Sequence, residues 1–493
     1  MRATSRLVRQ LTGLDAQFLA LEDGRNLMHV SALAIFDPSE CPQGRLSLED
    51  VQGLVSERLH LLPPFRWLLA RVPLGLDHPY WLDDPEFDLE FHVRELALPV
   101  PGDDAQLAAQ VARIVARPLD RARPLWELYL IQGLEGGRVA LLTKLHHAVV
   151  DGVSGAEILG TLFDVDPQGR DLAPSPAESN GSGIPGTLGL VARRLVGVPR
   201  RALGSARRLP QTLAHFEEVP NLRALPGVGL LGRASYRAHR AATRNRDGRV
   251  LERPRLRAPR VGFNAPISPH RRFAFGSLSL PAVKAVKNAH GTSVNDVVVT
   301  LAAGGVRKWL LAHDDLPQEP LLAMVPMSVR TSAQMGTYGN RVSTMIVPIP
   351  TDAAHPRQRL RRSHAELAAA KERHKAIPAD LLSEVTNFIP PALFARAGRT
   401  TTALGASPRF RPHVNLVISN VPGSRVPLYV AGARLEAQYP ASLVTDGMGL
   451  NITVFSYQDR LDVGIVGDRD LAPDLDLILD AMRTDLAELE AGT

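Results

Sequence analysis

An arginine-rich segment divides this 493-residue chain and constrains its fold more than any other feature of the sequence. Residues 166–265 hold 18 arginines, no lysine and 7 acidic residues, with proline, glycine and serine throughout. Their net charge is +11, whereas the remainder, with 39 basic and 44 acidic residues, carries −5. A chain of this length exceeds one ordinary hydrophobic core. The sequence therefore predicts two folded units, residues 1–165 and residues 266–493, joined by a partly helical linker.

The arginine-rich segment has more than one interpretation. Arginine runs attract the phosphates of nucleic acids or of anionic membranes. Residues 187–209 space leucine and valine against arginine pairs, which predicts short basic amphipathic helices able to lie on a membrane or to pack against a domain. A solvated, partly disordered linker would have the same composition.

Helices and strands are predicted on both sides of the segment. Helical periodicity predicts helices at 46–62, 104–120, 153–165, 281–291, 293–313 and 473–490. Apolar runs predict strands on either side of a turn at Gly136-Gly137, then at 271–280, 321–330, 341–350, 413–421, 450–458 and 461–468. Each unit is therefore predicted to be an α+β layer of mixed sheet and helices.

Cysteine content and apolar patterning exclude several classes of protein. Cys41 is the only cysteine, which excludes an intramolecular disulfide and a Cys-based zinc site and favours a reducing compartment. The sequence up to Asp15 has no apolar core, so we expect no signal peptide. No stretch approaches the ~18 consecutive apolar residues typical of a transmembrane helix.

The stretch TKLHHAVVDGVSG, residues 143–155, is the one most able to carry chemistry. A strand predicted at 139–145 delivers His146 and His147 at its C-terminal end, where alternation points them to opposite faces. They cannot easily share a metal ion, and no third ligand of suitable spacing lies nearby, so no metal site is predicted. A general base needs only one histidine with a pKa near neutral.

The residues that follow the histidines suit a supporting turn. Asp151 can accept backbone N–H bonds or pair with an arginine, and Gly152 allows the positive φ of a tight turn. From the residues alone, a structural histidine pair at a strand end remains open beside the catalytic interpretation.

LHHAVVDGVSG resembles the HHxxxDG signature of the CoA-dependent acyltransferase superfamily, which includes chloramphenicol acetyltransferase-like enzymes and nonribosomal peptide condensation domains. More closely, the whole chain resembles the bacterial wax ester synthase/diacylglycerol acyltransferase family, although weakly in the arginine-rich middle. The supporting motifs run in that family's order: LTGLDAQFLALED (11–23), MHV (28–30), RPLWEL (123–128), SVNDVVVTLAAGGVRKWL (293–310), VPMSVR (325–330), GNRVS (339–343) and SNVPGS (419–424).

The resemblance implies an α+β fold of two chloramphenicol acetyltransferase-like domains with a substrate tunnel between them. It implies an O-acyltransferase that moves a long-chain acyl group from acyl-CoA, the co-substrate, to diacylglycerol or to a long-chain alcohol. No metal or other cofactor is expected. We expect a cytoplasmic protein whose basic segment contacts the inner membrane face or lipid droplets, and we expect no nucleic-acid partner.

The resemblance also implies catalytic roles for individual residues. His147 would accept the alcohol proton and pass it to the CoA thiolate, so no covalent acyl-enzyme would form. His146 belongs to the same catalytic motif, although facing away from the tunnel it would act structurally. Asp151 would hold the loop by an ion pair with Arg330, next to the turn residue Gly152.

Further residues are implied on the facing unit and along the tunnel. Asn295 is the candidate donor to the tetrahedral oxyanion, while helix capping and domain-interface bonding are the alternative roles for Asn295 and Asp296. Residues expected along the tunnel or shaping its wall are Pro124, Leu125, Trp126, Gly339 and Asn340.

Two other functions are consistent with parts of the sequence. A condensation-like enzyme would use acyl groups bound to a carrier protein, but we expect no carrier or adenylation module fused to this chain. A non-enzymatic protein could bind lipid surfaces or nucleic acid through the arginine-rich segment. The uninterrupted histidine motif favours the enzyme.

Overall fold

A computed structural model describes residues 9–41, 43–72, 78–149, 158–172, 257–328, 342–375, 407 and 411–492. The strands are β1 (Arg9–Gln10), β2 (His29–Asp37), β3 (Trp67–Ala70), β4 (Tyr80–Asp83), β5 (Val93–Ala97), β6 (Trp126–Gln132), β7 (Val139–His146), β8 (Arg271–Ser279), β9 (Leu321–Ser328), β10 (Val342–Ile349), β11 (Leu416–Val421), β12 (Tyr429–Val430), β13 (Ala433–Ala441), β14 (Leu450–Tyr457) and β15 (Arg460–Asp468). The helices are α1 (Gly13–Leu21), α2 (Leu48–Arg58), α3 (Leu89–His92), α4 (Asp104–Val115), α5 (Leu280–Ala289), α6 (Val294–Ala312), α7 (Pro356–Lys375) and α8 (Asp476–Glu490).

Local chemistry sets the helix ends. Ser47 and Asp50 form a capping box at the start of α2, where each side chain accepts a hydrogen bond from the other's backbone N–H. The helix predicted at 104–120 ends earlier, at Val115, because Pro118 disfavours helical backbone at the residue before it.

The N-terminal sheet has the strand order β12-β13-β2-β7-β6-β5. Strand β7 lies between β2 and β6 and is antiparallel to both, with His29 opposite His146 and Trp126 opposite Leu145. The strands β12 and β13 come from the C-terminal part of the chain and extend this sheet beside β2. Sequence reasoning did not identify β2 or β13 as strands.

The C-terminal sheet has the strand order β10-β9-β11-β14-β15-β8. Helix α6 packs between α7 and α8 on this sheet, and its stretch 297–306 is buried throughout. This stretch consists mainly of small and branched apolar residues. A smaller sheet, β1-β4-β3, flanks the N-terminal unit. The α+β fold of two mixed sheets with helices is therefore confirmed.

The two sheets touch where β13 crosses β15. Gly464 of β15 lies directly against the backbone of Pro440 of β13, and a Cβ atom at residue 464 would overlap the Pro440 carbonyl oxygen. This position therefore requires glycine because two backbones approach closely there.

Helix length and hydropathy bear on membrane insertion. Within the residues that the structure describes, no helix is both long enough and apolar enough to cross a membrane.

Gly464→Ala should destabilise the protein by about 1–3 kcal/mol or more, because backbone atoms of Pro440 cannot move aside as a flexible side chain would. Gly53→Ala is the matched control: residue 53 is exposed in α2, nothing lies within 4 Å of an added Cβ, and the change should stabilise by about 0.5–1 kcal/mol. Urea unfolding followed by circular dichroism measures both. Equal stability of the two variants would contradict the close approach.

Candidate active site

Strand β7 ends at His146, and His147 follows it directly. The His146 backbone N–H donates to the Leu125 carbonyl at 3.0 Å, and the His147 N–H donates to the Met28 carbonyl at 2.7 Å. The Val149 N–H donates to the His146 carbonyl at 2.9 Å, which starts the turn after the strand. The backbone hydrogen bonds to Leu125 on one side and to Met28 on the other therefore fix the position of the two histidines at the end of β7.

His146 is buried, and both of its ring nitrogens have partners. Its Nδ1 accepts the Ala148 backbone N–H at 3.0 Å, and its Nε2 lies 2.6 Å from Glu22 Oε2. Because a backbone N–H can only donate, the ring proton sits on Nε2 and is donated to the carboxylate. Burial lowers the pKa of His146, so the ring is neutral at neutral pH.

Glu22 is the ionised partner in this pair. Burial alone would raise the pKa of its carboxyl, but the hydrogen bond from His146 and the charge and hydrogen bond of Arg121 lower it to about 2. The Arg121 guanidinium donates to Glu22 Oε2 at 2.9 Å and to the Leu19 carbonyl at 2.9 Å. Arg121 thus supplies the positive charge that a buried carboxylate needs.

His147 has different surroundings from its neighbour. Its side chain is half-buried, and its ring stacks on that of Phe18, with centroids 4.3 Å apart and planes 10° apart. Phe18 and Glu22 are four residues apart at the C-terminal end of α1 and therefore support the two histidines from one side.

The loop after α1 connects the histidines to the C-terminal unit. Asn26 and Asp446 exchange two hydrogen bonds: Asn26 Nδ2 donates to Asp446 Oδ2 at 3.2 Å, and the Asp446 N–H donates to Asn26 Oδ1 at 2.8 Å. Asp23 Oδ1 shapes the loop by accepting the backbone N–H groups of Arg25 and Asn26, each at 2.8 Å. The loop that holds both histidines is therefore bonded to the facing unit.

A second buried polar group lies further along the His146 face of β7. Lys144 donates to the Arg117 carbonyl at 2.6 Å and to Glu127 Oε2 at 3.3 Å, and Tyr129 donates to the same carboxylate at 2.9 Å. Burial lowers the pKa of Lys144, and burial beside Glu127 raises the pKa of Tyr129 to about 12. At these residues, the polar side chains on this face of the sheet have hydrogen-bond partners within the protein.

The RPLWEL residues form core beneath the site. Pro124, Leu125 and Trp126 are buried, and Trp126 donates its indole N–H to the Phe65 carbonyl at 2.8 Å while stacking on the Phe65 ring at 4.0 Å. Leu125 holds His146 through its carbonyl. Their expected place along a substrate tunnel stays a prediction.

The candidate residues of the C-terminal unit begin α6. Asp296 forms a capping box with Ser293, accepting its N–H at 2.8 Å, and lies 2.8 Å from His364 Nδ1. This agrees with the alternative role of helix capping. Asn295 is half-buried in the same first turn, and its assignment as oxyanion donor stays a prediction.

Several predicted residues lie outside the described part of the chain. They are Asp151, Gly152, Arg330, Gly339 and Asn340, together with residues 173–256 of the arginine-rich segment. Among the described residues, no three His, Cys, Asp or Glu side chains are grouped as a metal site requires.

Sequence reasoning missed three residues that the structure places at the histidine pair: Phe18, Glu22 and Arg121. Phe18 and Glu22 lie inside the LTGLDAQFLALED motif, and their i, i+4 spacing was a usable signal. Arg121 had no such signal, because its pairing with Glu22 spans 99 residues.

The whole architecture is shared with solved condensation domains. The first condensation domain of the calcium-dependent antibiotic synthetase superposes with a TM-score of 0.57 at 16% identity, covering 99% of this chain and 97% of that one. At this level of identity the likeness is one of fold, a two-domain α+β architecture.

Sequence comparison identifies the family. Profiles of the wax ester synthase/diacylglycerol acyltransferase catalytic domain and of the WS/DGAT C-terminal domain match residues 11–298 and 338–490. A Mycobacterium tuberculosis H37Rv protein named as a diacylglycerol O-acyltransferase is 35% identical over 98% of this chain and 90% of its own length. The wax ester synthase/diacylglycerol acyltransferase of Marinobacter aquaeolei VT8 superposes with a TM-score of 0.68 at 30% identity, covering 98% of this chain and 99% of that one. The chain belongs to this family of acyltransferases.

The Glu22 carboxylate should make stability depend on pH. Its folded pKa of about 2 lies below the ordinary 4.5, so its contribution, on the order of 3 kcal/mol, is present at neutral pH and is lost as pH falls from 4.5 towards 2. Buried neutral His146 adds a loss that begins below its ordinary value of 6.5.

Glu22→Gln keeps an acceptor for His146 but removes the charge, so it should unfold at lower urea concentration at pH 7 and show a weaker pH dependence between 4.5 and 3. Tryptophan fluorescence at a series of pH values measures this, with exposed Glu86→Gln as control. Parallel curves for the wild type and Glu22→Gln would show that the buried ion pair is unimportant.

Proposed function

We propose that this protein transfers a long-chain acyl group from acyl-CoA to the hydroxyl of diacylglycerol or of a long-chain alcohol, with His147 as general base. The observation that carries this proposal is the asymmetry of the histidine pair. His146 is buried with both ring nitrogens bonded, to Glu22 and to Ala148. His147 emerges beside it with a half-buried ring, so it is the member that can meet a substrate hydroxyl.

The proton chemistry follows from that assignment. His147 accepts the proton of the alcohol as the alcohol oxygen attacks the thioester carbonyl. The tetrahedral intermediate collapses, the carbon–sulfur bond breaks, and His147 returns the proton to the CoA thiolate. The products are an ester and free CoA, and no acyl-enzyme is formed. Cys41 does not offer a nucleophile, because it is buried and its pKa is raised by burial.

The remaining predicted residues take supporting roles in the proposal. Asn295 donates to the oxyanion from the facing unit, and Asp151 pairs with Arg330 to hold the turn at Gly152. The tunnel for the acyl chain passes Gly339 and Asn340, with the core of Pro124, Leu125 and Trp126 behind its wall.

The names of the relatives support the choice of acceptors. The mycobacterial proteins are named for diacylglycerol and the Marinobacter enzyme for both wax esters and diacylglycerol. Such products are insoluble in water, so we propose that the arginine-rich segment of this cytoplasmic protein contacts an anionic membrane surface or a lipid droplet. Nucleic acid has no part in this function. The likeness to condensation domains is one of fold and does not assign a carrier-bound donor.

His147→Ala should fold normally and lose about 10²–10⁴-fold in acyl transfer, the usual contribution of a positioned general base. The assay combines purified protein and labelled palmitoyl-CoA with a panel of diacylglycerols and fatty alcohols, and chromatography resolves the products. His60→Ala, at a half-buried histidine after α2, is the matched control and should retain activity. Full activity of His147→Ala, or the detection of a labelled acyl-enzyme, would contradict the proposed mechanism.

A further inference from the structure

The ring of His147 has a partner that a role as general base does not by itself require. Phe18 lies parallel to it, with a centroid distance of 4.3 Å and an interplanar angle of 10°. Both side chains are half-buried, so the stack lies at the border between the core and the protein surface. An aromatic pair at this distance is in attractive contact.

A parallel stack restricts the motion that matters most for a histidine base. The χ2 torsion of histidine is broad and roughly two-fold, so an unsupported ring can flip, which places Cδ2 where Nδ1 was and Cε1 where Nε2 was. That rotation sweeps the ring edge through the space on either side of its plane. Phe18 occupies that space on one face of the ring.

Phe18 is itself held rigidly enough to do this. Helix α1 begins with a capping box between Thr12 and Asp15, and the Glu22 N–H donates to the Phe18 carbonyl at 3.3 Å. The Glu22 side chain is then fixed by His146 and Arg121. The Met28 carbonyl holds the His147 backbone at 2.7 Å, so both sides of the stack are anchored.

We propose that Phe18 is a positioning residue that sets the ring plane of His147 for proton transfer. The inference rests on the proposed function of His147 and adds a residue that acts only through that ring. A misplacement of about 1 Å can cost on the order of 100-fold in rate. Loss of the stack should therefore lower kcat by about 10- to 100-fold and change KM little.

Phe18→Leu removes the aromatic face and keeps an apolar side chain, whereas Phe18→Tyr keeps the face. We expect Phe18→Leu to lose kcat and Phe18→Tyr to recover most of it. Phe18→Met is a second non-aromatic variant, used if Phe18→Leu lowers the yield of folded protein. Phe91→Leu is the matched control, because Phe91 is a half-buried phenylalanine of the same unit that packs between Arg94 and Arg123.

Nuclear magnetic resonance of protein labelled with ¹³C-histidine detects the stacking of Phe18 on His147 independently of activity. The Phe18 ring current should shift the His147 ring protons upfield in the wild type and in Phe18→Tyr but not in Phe18→Leu. His147→Gln assigns the signal.

The outcomes separate the two proposals. Loss of the upfield shift with unchanged kcat in Phe18→Leu would overturn the positioning role, as would equal losses of kcat in the leucine and tyrosine variants. A wild type that shows the shift but transfers no acyl group to any acceptor would overturn the proposed function, and with it any role of Phe18 in that reaction. A kcat loss that follows the shift across the variants, with Phe91→Leu unaffected, supports both.

Discussion

The hydrogen bond between His146 Nε2 and Glu22 Oε2, 2.6 Å long and buried, is the interaction on which the arrangement of the site depends. It joins the end of β7 to the end of α1, which are 124 residues apart in sequence. A buried carboxylate is costly unless it is paired, and Arg121 supplies the compensating charge. This bond and the Ala148 N–H together occupy both ring nitrogens of His146.

The same support extends across the molecule through the loop that follows Glu22. Asn26 of that loop is bonded to Asp446 of the C-terminal unit, and Met28 at its end holds the His147 backbone. Strand β13 crosses from the other direction to join the N-terminal sheet. These connections link the backbone of His147, the proposed base, to both units.

Much of the fold could be predicted because it depends on local patterns. The buried stretch of α6, the apolar strands of the C-terminal sheet and the capping Ser47 all show their signal within a few residues. Strand β13 had no comparable signal, since its burial depends on Pro440 meeting Gly464 and on pairing with β2, about 400 residues earlier. At the site, the motif located His146 and His147, but their supporting partners Glu22 and Arg121 come from distant segments.

The sequence by itself determined the α+β class, the family and the position of the histidine pair, because residue type, periodicity and motif order are properties of short segments. Only the tertiary structure decided which groups surround each histidine. It buried His146 against an ionised carboxylate and placed His147 on the ring of Phe18. Those differences arise from contacts between α1 and β7, and the free energy of such contacts depends on burial and distance, which no single segment encodes.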